Sequence, residues 1–353
     1  MNINDLNTAA IGFEIEATTR CNAGCPGCPR YDYNELDKLN SFVKIEDITI
    51  DDFKHIFHSP EYMNNKSFHF CGLLGDCLSN RDIFDIFSYI TLTSGNVNLQ
   101  LSTNGSVRST DWWNNLGELS ALHQKKHRRD FTVCFAVDGH KETNHLYRRH
   151  TKFDKILENM YTYKEAGGIG RWVYIVFDHN EHEIDIAKKE ANKLGFRFDL
   201  KLSHRNEANK KDGMKKSDMY SSTKAVEKFK ELFDSSHQFP NKTLSAQVNF
   251  QNDITCRWTD ENKLFIGANK TMWPCCFLYN AELAHEDDSK KLTDKYGTFN
   301  DLMTHDLADM LQHEWFSSTL KDSFNTSHSL NHNRCERHCS TGKQDIVIHE
   351  DNS

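Results

Sequence analysis

Ile11-Gly12-Phe13-Glu14-Ile15-Glu16-Ala17-Thr18-Thr19-Arg20-Cys21-Asn22-Ala23-Gly24-Cys25-Pro26-Gly27-Cys28-Pro29 is the stretch around which the chain is organised. A short strand runs directly into C-x3-C-x2-C, in a loop loosened by Gly24 and Gly27. Three thiolates so close together can hold three corners of one 4Fe-4S cube, whereas four normally saturate such a cluster. One iron is then left open, so the missing fourth cysteine is the informative feature. A zinc knuckle is the competing reading. Zinc usually wants a fourth Cys or His nearby, and nothing suitable follows until His55.

From Ile11 to about Ser203, short apolar runs alternate with amphipathic helical segments, which predicts a βα-repeating α/β fold with parallel strands. Six strands are read: Ile11 to Ala17, Phe68 to Cys71, Val97 to Ser102, Phe131 to Val137, Trp172 to Phe177 and Phe196 to Leu202. Between them lie helical stretches over Arg81 to Thr93, Trp112 to Gln124, Phe153 to Glu165 and His182 to Leu194. In the first of these Ile83, Ile86, Phe87 and Ile90 recur on one face. The strands end in polar or glycine-bearing turns, at Cys71 to Asp76, Ser102 to Gly105, Asp138-Gly139 and Asp178-His179-Asn180. Ligands gather at the C-terminal strand ends of parallel α/β folds, so these turns should ring one site with the Cys21 loop.

The cysteine spacing after an N-terminal strand resembles that of the radical S-adenosylmethionine (SAM) enzymes. The resemblance covers residues 1–203 and implies a partial (β/α)6 TIM-like barrel. It also implies an open iron that binds the amino and carboxylate groups of SAM, from which one electron yields a 5′-deoxyadenosyl radical that abstracts a substrate hydrogen. Gly75-Asp76 stands where the family carries its Gly-Gly-Glu-like contact to the SAM amino group, and Thr103-Asn104-Gly105 matches its Thr-Asn-Gly turn. Asp138-Gly139 with Arg148 resembles the segment whose arginine reaches the SAM carboxylate; a guanidinium fork fits a carboxylate, and Arg149 is the alternative. The aromatic residue usual before the third cysteine is Gly27 here, so Tyr31 or Tyr33 is left to supply a ring. Cys77 and Cys134 read as packing residues, since free cysteine is commonly buried.

Residues 204–244 change character: Asn206 to Asp218 is polar, and Ser221 to Phe233 reads as one amphipathic helix bridging to a second unit over residues 245–353. There Cys256, Cys275-Cys276, Cys335 and Cys339 carry the remaining chemistry. A hairpin over Lys263 to Pro274 lets Cys256 approach Cys275, and a helical region from about Asn300 to Leu320 returns the chain to the late pair. This pattern resembles the twitch domain, a shortened relative of the SPASM domain. It implies a small α+β unit with one auxiliary 4Fe-4S cluster on Cys256, Cys275, Cys335 and Cys339, with Cys276 as the alternative second ligand. Zinc on the same thiols, with His338, is the rival occupant, because tetrahedral thiolate sites suit both metals.

Composition sets the outer bounds. The 353 residues are 37% hydrophobic, enough for a buried core. A net charge of -8 argues against a nucleic-acid surface, and the basic runs Lys125 to Arg129 and Lys210 to Lys216 read as solvated. No long apolar run marks a signal peptide or membrane span, so a cytoplasmic protein is expected. Eleven cysteines in a reducing compartment favour thiolate ligation over disulfides.

The resulting expectation is a radical SAM oxidoreductase acting on a small polar molecule. Its auxiliary cluster would take the second electron, and flavodoxin or ferredoxin would supply the first. A peptide- or protein-modifying maturase is the nearer alternative, and an iron-sulfur electron-transfer or redox-sensing protein the more distant one. Asp178, His179, Asp260 and Glu261 are candidate bases.

Overall fold

The computed structural model describes residues 11–32, 35, 37–202, 254–285, 287–325, 327–339 and 347–349, with backbone alone for 287–289, 337 and 347–349. The bridging segment 204–244, with its expected helix over Ser221 to Phe233, lies outside these residues, as does Tyr33.

Six parallel strands form the centre in consecutive order: β1 (Gly12–Ile15), β2 (Ser67–Phe70), β3 (Asn98–Thr103), β4 (Phe131–Ala136), β5 (Ile169–Val176) and β6 (Arg197–Leu202). Helices α1 (Ile50–Ile56), α2 (Ile83–Thr93), α3 (Thr110–His127), α4 (Asn144–Tyr147), α5 (Phe153–Glu165) and α6 (Ile184–Lys193) fall between them. The expected α5 is met residue for residue, and the other expected helices and strands shift by a few residues at their ends. The first helix, α1, carries no long periodic signal and is started by a reciprocal cap between Thr49 and Asp52.

Because parallel crossovers are right-handed and the strand order never reverses, α1, α2, α3, α5 and α6 stack on one face. Phe68, Leu101, Val133, Phe135, Trp172 and Phe198 turn to that face and are buried there. Their alternates, among them Glu14, His69, Ser102, Cys134, Arg171, Asp199 and Lys201, line the opposite face, which is therefore polar. This one-sided arrangement is the partial barrel.

The expected C-terminal hairpin is present as β7 (Lys263–Ile266) and β8 (Met272–Trp273), and it extends the barrel sheet. β7 runs parallel to β1 in the register Glu14 to Phe265, while β9 (Val347–His349) pairs antiparallel with β6 at the other edge. The sheet thus has nine strands, ordered β8-β7-β1-β2-β3-β4-β5-β6-β9. Helices α7 (Arg257–Glu261), α8 (Cys276–Leu283), α9 (Asp287–Tyr296), α10 (Leu307–Gln312), α11 (Leu320–Asp322) and α12 (Asn333–Cys339) complete this region. The helical stretch foreseen over Asn300 to Leu320 begins only at Leu307, capped by Asp306, breaks at His313 and resumes as a π-helical segment, Trp315–Thr319. Trp258, Phe265, Tyr279 and Trp315 share one continuous core with the barrel's Phe13 and Phe68. No described helix is long and apolar enough to cross a membrane.

Candidate functional site

The cysteine loop leaves the C-terminal end of β1. The Cys28 amide donates to the Cys25 carbonyl at 3.0 Å and the Tyr31 hydroxyl to the Ala23 carbonyl at 2.8 Å, curling the segment over itself. Tyr31 thus lies within the loop. The three thiols pack in a small apolar pocket with Ala23, Tyr147, Ile175 and Phe177, apart from the main core. All eleven cysteines are free thiols.

Burial, reinforced by Asp76 and by its companions Cys25 and Cys28, pushes the Cys21 thiol up to about 12. A thiol so reluctant to ionise, crowded by two others, is suited to cationic iron, which deprotonates a coordinating thiol outright. Donors already aim at the sulfurs: the Ala23 amide lies 3.4 Å from Cys21 Sγ and Arg148 Nη1 lies 3.7 Å from Cys25 Sγ. Electron-rich thiolates fit that setting, so the residues present suit a cluster.

Arg148 is fixed by Asp138, whose wholly buried carboxylate accepts from Arg148 Nε at 2.6 Å and from the Ile175 amide at 2.7 Å. Burial opposes the Arg148 charge, but Asp138 and Cys25 outweigh it and hold its pKa above the usual arginine value. Asp138 is raised by burial, with Arg148 the main opposing influence. Arg149 turns away: it pairs with Asp37 at 2.6 Å, and its carbonyl accepts the Gly24 amide. Of the two arginines, the structure therefore sets Arg148 beside the thiols.

The Gly72 to Asp76 loop is pressed against the same site. A Cβ on Gly75 would lie 1.9 Å from the Thr18 carbonyl oxygen, and one on Gly72 would lie 1.6 Å from the Gly75 carbonyl oxygen, so both positions need glycine. The Asp76 amide bonds the Arg20 carbonyl at 2.7 Å. Asp76 Oδ2 accepts the Asn104 amide at 2.7 Å, Oδ1 accepts the Leu78 amide at 3.1 Å, and the Thr103 hydroxyl reaches both oxygens. Asp76 therefore ties together the turns after β2 and β3. Asn104 Nδ2 in turn donates to Asn22 Oδ1 at 3.0 Å, joining the Thr103-Asn104-Gly105 turn to the cysteine loop.

Two residues that sequence reasoning passed over build this corner. Glu16 is fully buried, and its Oε1 accepts the amides of Leu73, Leu74 and Gly75. Burial raises its pKa to about 7, against the pull of those amides and of Arg30. Buried Arg30 donates from Nη1 to the carbonyls of Thr19 and Leu74. The available signal was an acid among the apolar residues of the first strand, a charge that a buried strand retains only with partners.

Of the candidate bases, His179 stacks on Phe177 at 5.3 Å and so borders the thiol pocket, while Asp178 is exposed. Asp260 accepts the Cys256 amide at 2.6 Å, and Glu261 pairs with Lys263 on the surface. Cys77 and Cys134 are buried as expected, with the Cys77 thiol 3.5 Å from the Ser102 carbonyl.

In the C-terminal region Cys256 precedes α7, Cys275 precedes α8, and Cys335 and Cys339 sit one turn apart on α12. The Thr255 amide bonds the Cys339 carbonyl at 2.9 Å, drawing the ends of this set together. After burial, the neighbours that raise Cys275 are Cys276 first and then Cys335 and Cys339; those that raise Cys335 are Cys339, Cys256 and Glu336. Cys276 instead senses Glu14 and Arg257 on the barrel side. Cys256, Cys275 and Cys335 are buried and Cys339 half-buried, at or beside the ends of α7, α8 and α12, a donor set whose chemistry suits a thiolate-held metal centre, and half-buried Cys276 opens α8 next to Cys275.

No family model matches the sequence, and no curated protein matches it. Among solved structures the chain is similar to Streptococcus suis SuiB bound to S-adenosylmethionine, with a TM-score of 0.56 at 12% identity over 92% of this chain and 72% of that one. It is similar to native anSMEcpe with bound AdoMet, with a TM-score of 0.55 at 16% identity over 94% of this chain and 89% of that one. A further anSMEcpe structure, with AdoMet and the Cp18Cys peptide, gives 0.54 at 15% identity over 94% and 89%. The chain thus has the fold of SuiB and anSMEcpe, a partial parallel barrel whose strand ends carry the three-cysteine loop, and both of those proteins have been solved with S-adenosylmethionine bound.

Proposed function

We propose that this protein is a radical SAM enzyme. The observation that carries the proposal is the convergence, at the strand ends, of three thiols with Arg148 on Cys25 and the Gly75-Asp76 loop beside Cys21. Cys21, Cys25 and Cys28 would hold a 4Fe-4S cluster, which when bound supplies the electron that cleaves SAM to methionine and a 5′-deoxyadenosyl radical. Arg148 offers a guanidinium to the SAM carboxylate while Asp138 keeps its fork oriented. Asp76, spanning the turns at Gly75 and Asn104, sets those backbones where an amino group would lie. Tyr147 and Phe177, with ring centroids 4.4 Å apart, form an apolar wall packed against the cysteine loop.

Cys256, Cys275, Cys335 and Cys339 would hold a second 4Fe-4S cluster. The finer reading is hydrogen abstraction from a small polar molecule, with this second cluster accepting the following electron and a flavodoxin- or ferredoxin-type donor supplying the first. The rival reading, peptide modification, gains from neighbours solved with the Cp18Cys peptide and with the precursor peptide SuiA.

The test is anaerobic reconstitution with iron and sulfide, followed by assay of 5′-deoxyadenosine with SAM and dithionite. About eight irons per chain are expected from two four-iron clusters. Replacing Cys21, Cys25 and Cys28 together by alanine should abolish 5′-deoxyadenosine while the second centre's iron remains. Unchanged SAM cleavage in that variant overturns the reading, and four irons with one tightly held zinc would make the second centre a zinc site.

A further inference from the structure

We propose that the concave face of the sheet binds an oxyanion of the substrate, a carboxylate or a phosphate, between Arg171 and Lys201. The proposal rests on the radical SAM reading only for where the chemistry occurs.

Among the described residues of β5 and β6, this face carries the cations Arg171, Arg197 and Lys201 and one acid, Asp199. Arg197 holds Asp199 with two contacts, at 2.7 and 3.2 Å, and Arg171 reaches the same carboxylate at 3.9 Å, so two guanidiniums share one acid. Arg257 is matched by Glu14 on β1. Lys201, half-buried, has no carboxylate within 4.0 Å among the described residues. Arg171, Arg197, Asp199 and Lys201 thus share this face on the adjacent strands β5 and β6. His69 donates to or accepts from Ser102 Oγ at 2.9 Å; burial first, and then Arg257, Lys201, Lys263 and Arg171, press its pKa down to about 4. Cations on β5, β6, α7 and β7 thus act on one ring of β2, and the ring itself stays neutral.

Positive charge left half-buried on this face raises the energy of the free protein, and an oxyanion offsets it; arginine in particular presents the planar fork that carboxylate and phosphate match. The register gives the direction. Lys201 is level with Ile175, which packs against the cysteine loop, whereas Arg171 is level with Arg197, four residues deeper, about 13 Å at strand rise. An oxyanion held toward Arg171 leaves the other end of the substrate facing the thiols.

The experiment is calorimetric titration of the reconstituted full chain, with SAM present, using pyrophosphate in one arm and succinate in the other; the arm that binds tells phosphate from carboxylate. Arg171→Gln and Lys201→Gln should each weaken binding about tenfold or more, as loss of a charge-assisted contact does. Asp199→Asn, which frees both guanidiniums, should tighten it severalfold, and Arg171→Lys should retain most of it should Arg171→Gln fold poorly. Absence of binding in both arms, or wild-type binding by both Arg171→Gln and Lys201→Gln, overturns the proposal. 5′-Deoxyadenosine is measured on the same samples: its absence together with the expected anion binding overturns the SAM reading and supports this one.

Discussion

Removing the Arg148 guanidinium should separate what the Asp138–Arg148 pair does for the fold from what Arg148 does for the cofactor. Arg148 side chain is 17% exposed and Asp138 is fully buried, with 2.6 Å between Nε and Oδ2. Two unit charges about 4 Å apart attract by roughly 4 kcal/mol at an effective dielectric of 20. Arg148→Met strands the Asp138 carboxylate in the interior, a change that costs about 3–5 kcal/mol. Asp138→Asn in the same chain removes that stranded charge, so the double variant should recover most of the loss, with a coupling of about 2–3 kcal/mol. The pH dependence has a definite sign. Burial raises Asp138, and without Arg148 nothing equivalent opposes it, so the single variant's deficit is full at neutral pH and shrinks as pH falls and Asp138 takes up a proton. SAM affinity should behave differently, falling about ten- to hundredfold in both variants, because neither offers a guanidinium. Urea denaturation of the apoprotein at pH 7 and pH 5, with equilibrium SAM binding to the reconstituted protein, measures both quantities. Recovery of SAM affinity along with stability in the double variant would refute a direct role for Arg148; wild-type stability in the single variant would refute the buried pair.

Three further outcomes follow from neighbouring geometry. Gly75→Ala must push aside the Thr18 carbonyl, so a loss of at least about 1–3 kcal/mol is expected, together with weakened SAM binding; a variant matching wild type in both would show that the loop is not pinned there. Glu16, with its pKa raised to about 7, contributes stability below pH about 4.5 that is lost as pH rises toward 7, on the order of 3 kcal/mol in all. Glu16→Gln lacks that slope, so its advantage over wild type should grow across the window in apoprotein melts, and parallel curves would remove the assignment. Cys275→Ala should lose the second centre's iron while Cys276→Ala keeps it, read by iron content after reconstitution; the reverse result would exchange their roles.

Local pattern carried a large part of the fold. The 3.6-residue period of Ile83, Ile86, Phe87 and Ile90 marked α2, and the apolar run at Trp172 to Phe177 marked most of β5, because one buried stripe or strand writes itself into neighbouring residues. Strand ends drifted by a residue or more where hydrogen bonding, not hydrophobicity, sets the limit. The corner built by Glu16, Arg30 and Asn22 was not legible, since each meets its partner across a long separation: Glu16 and Leu74 are 58 residues apart, and Asn22 and Asn104 are 82.

By itself the sequence determined the three-thiol loop after a strand, the six parallel strands with their turns at one end, and a second group of thiols late in the chain, all consequences of short-range spacing. The tertiary structure alone decided that β7 lies against β1, that Arg148 rather than Arg149 meets Cys25, and that Arg171 of β5 and Arg197 of β6 share the one carboxylate of Asp199. It also parted Cys275 from Cys276. Cys275 is extended, with φ -165° and ψ 165°, and buried, whereas Cys276 opens α8 and is half-buried, with Glu14 and Arg257 the charged groups that act on it most. Adjacency in the chain constrains the backbone, whereas which thiol meets which is set by how distant elements pack.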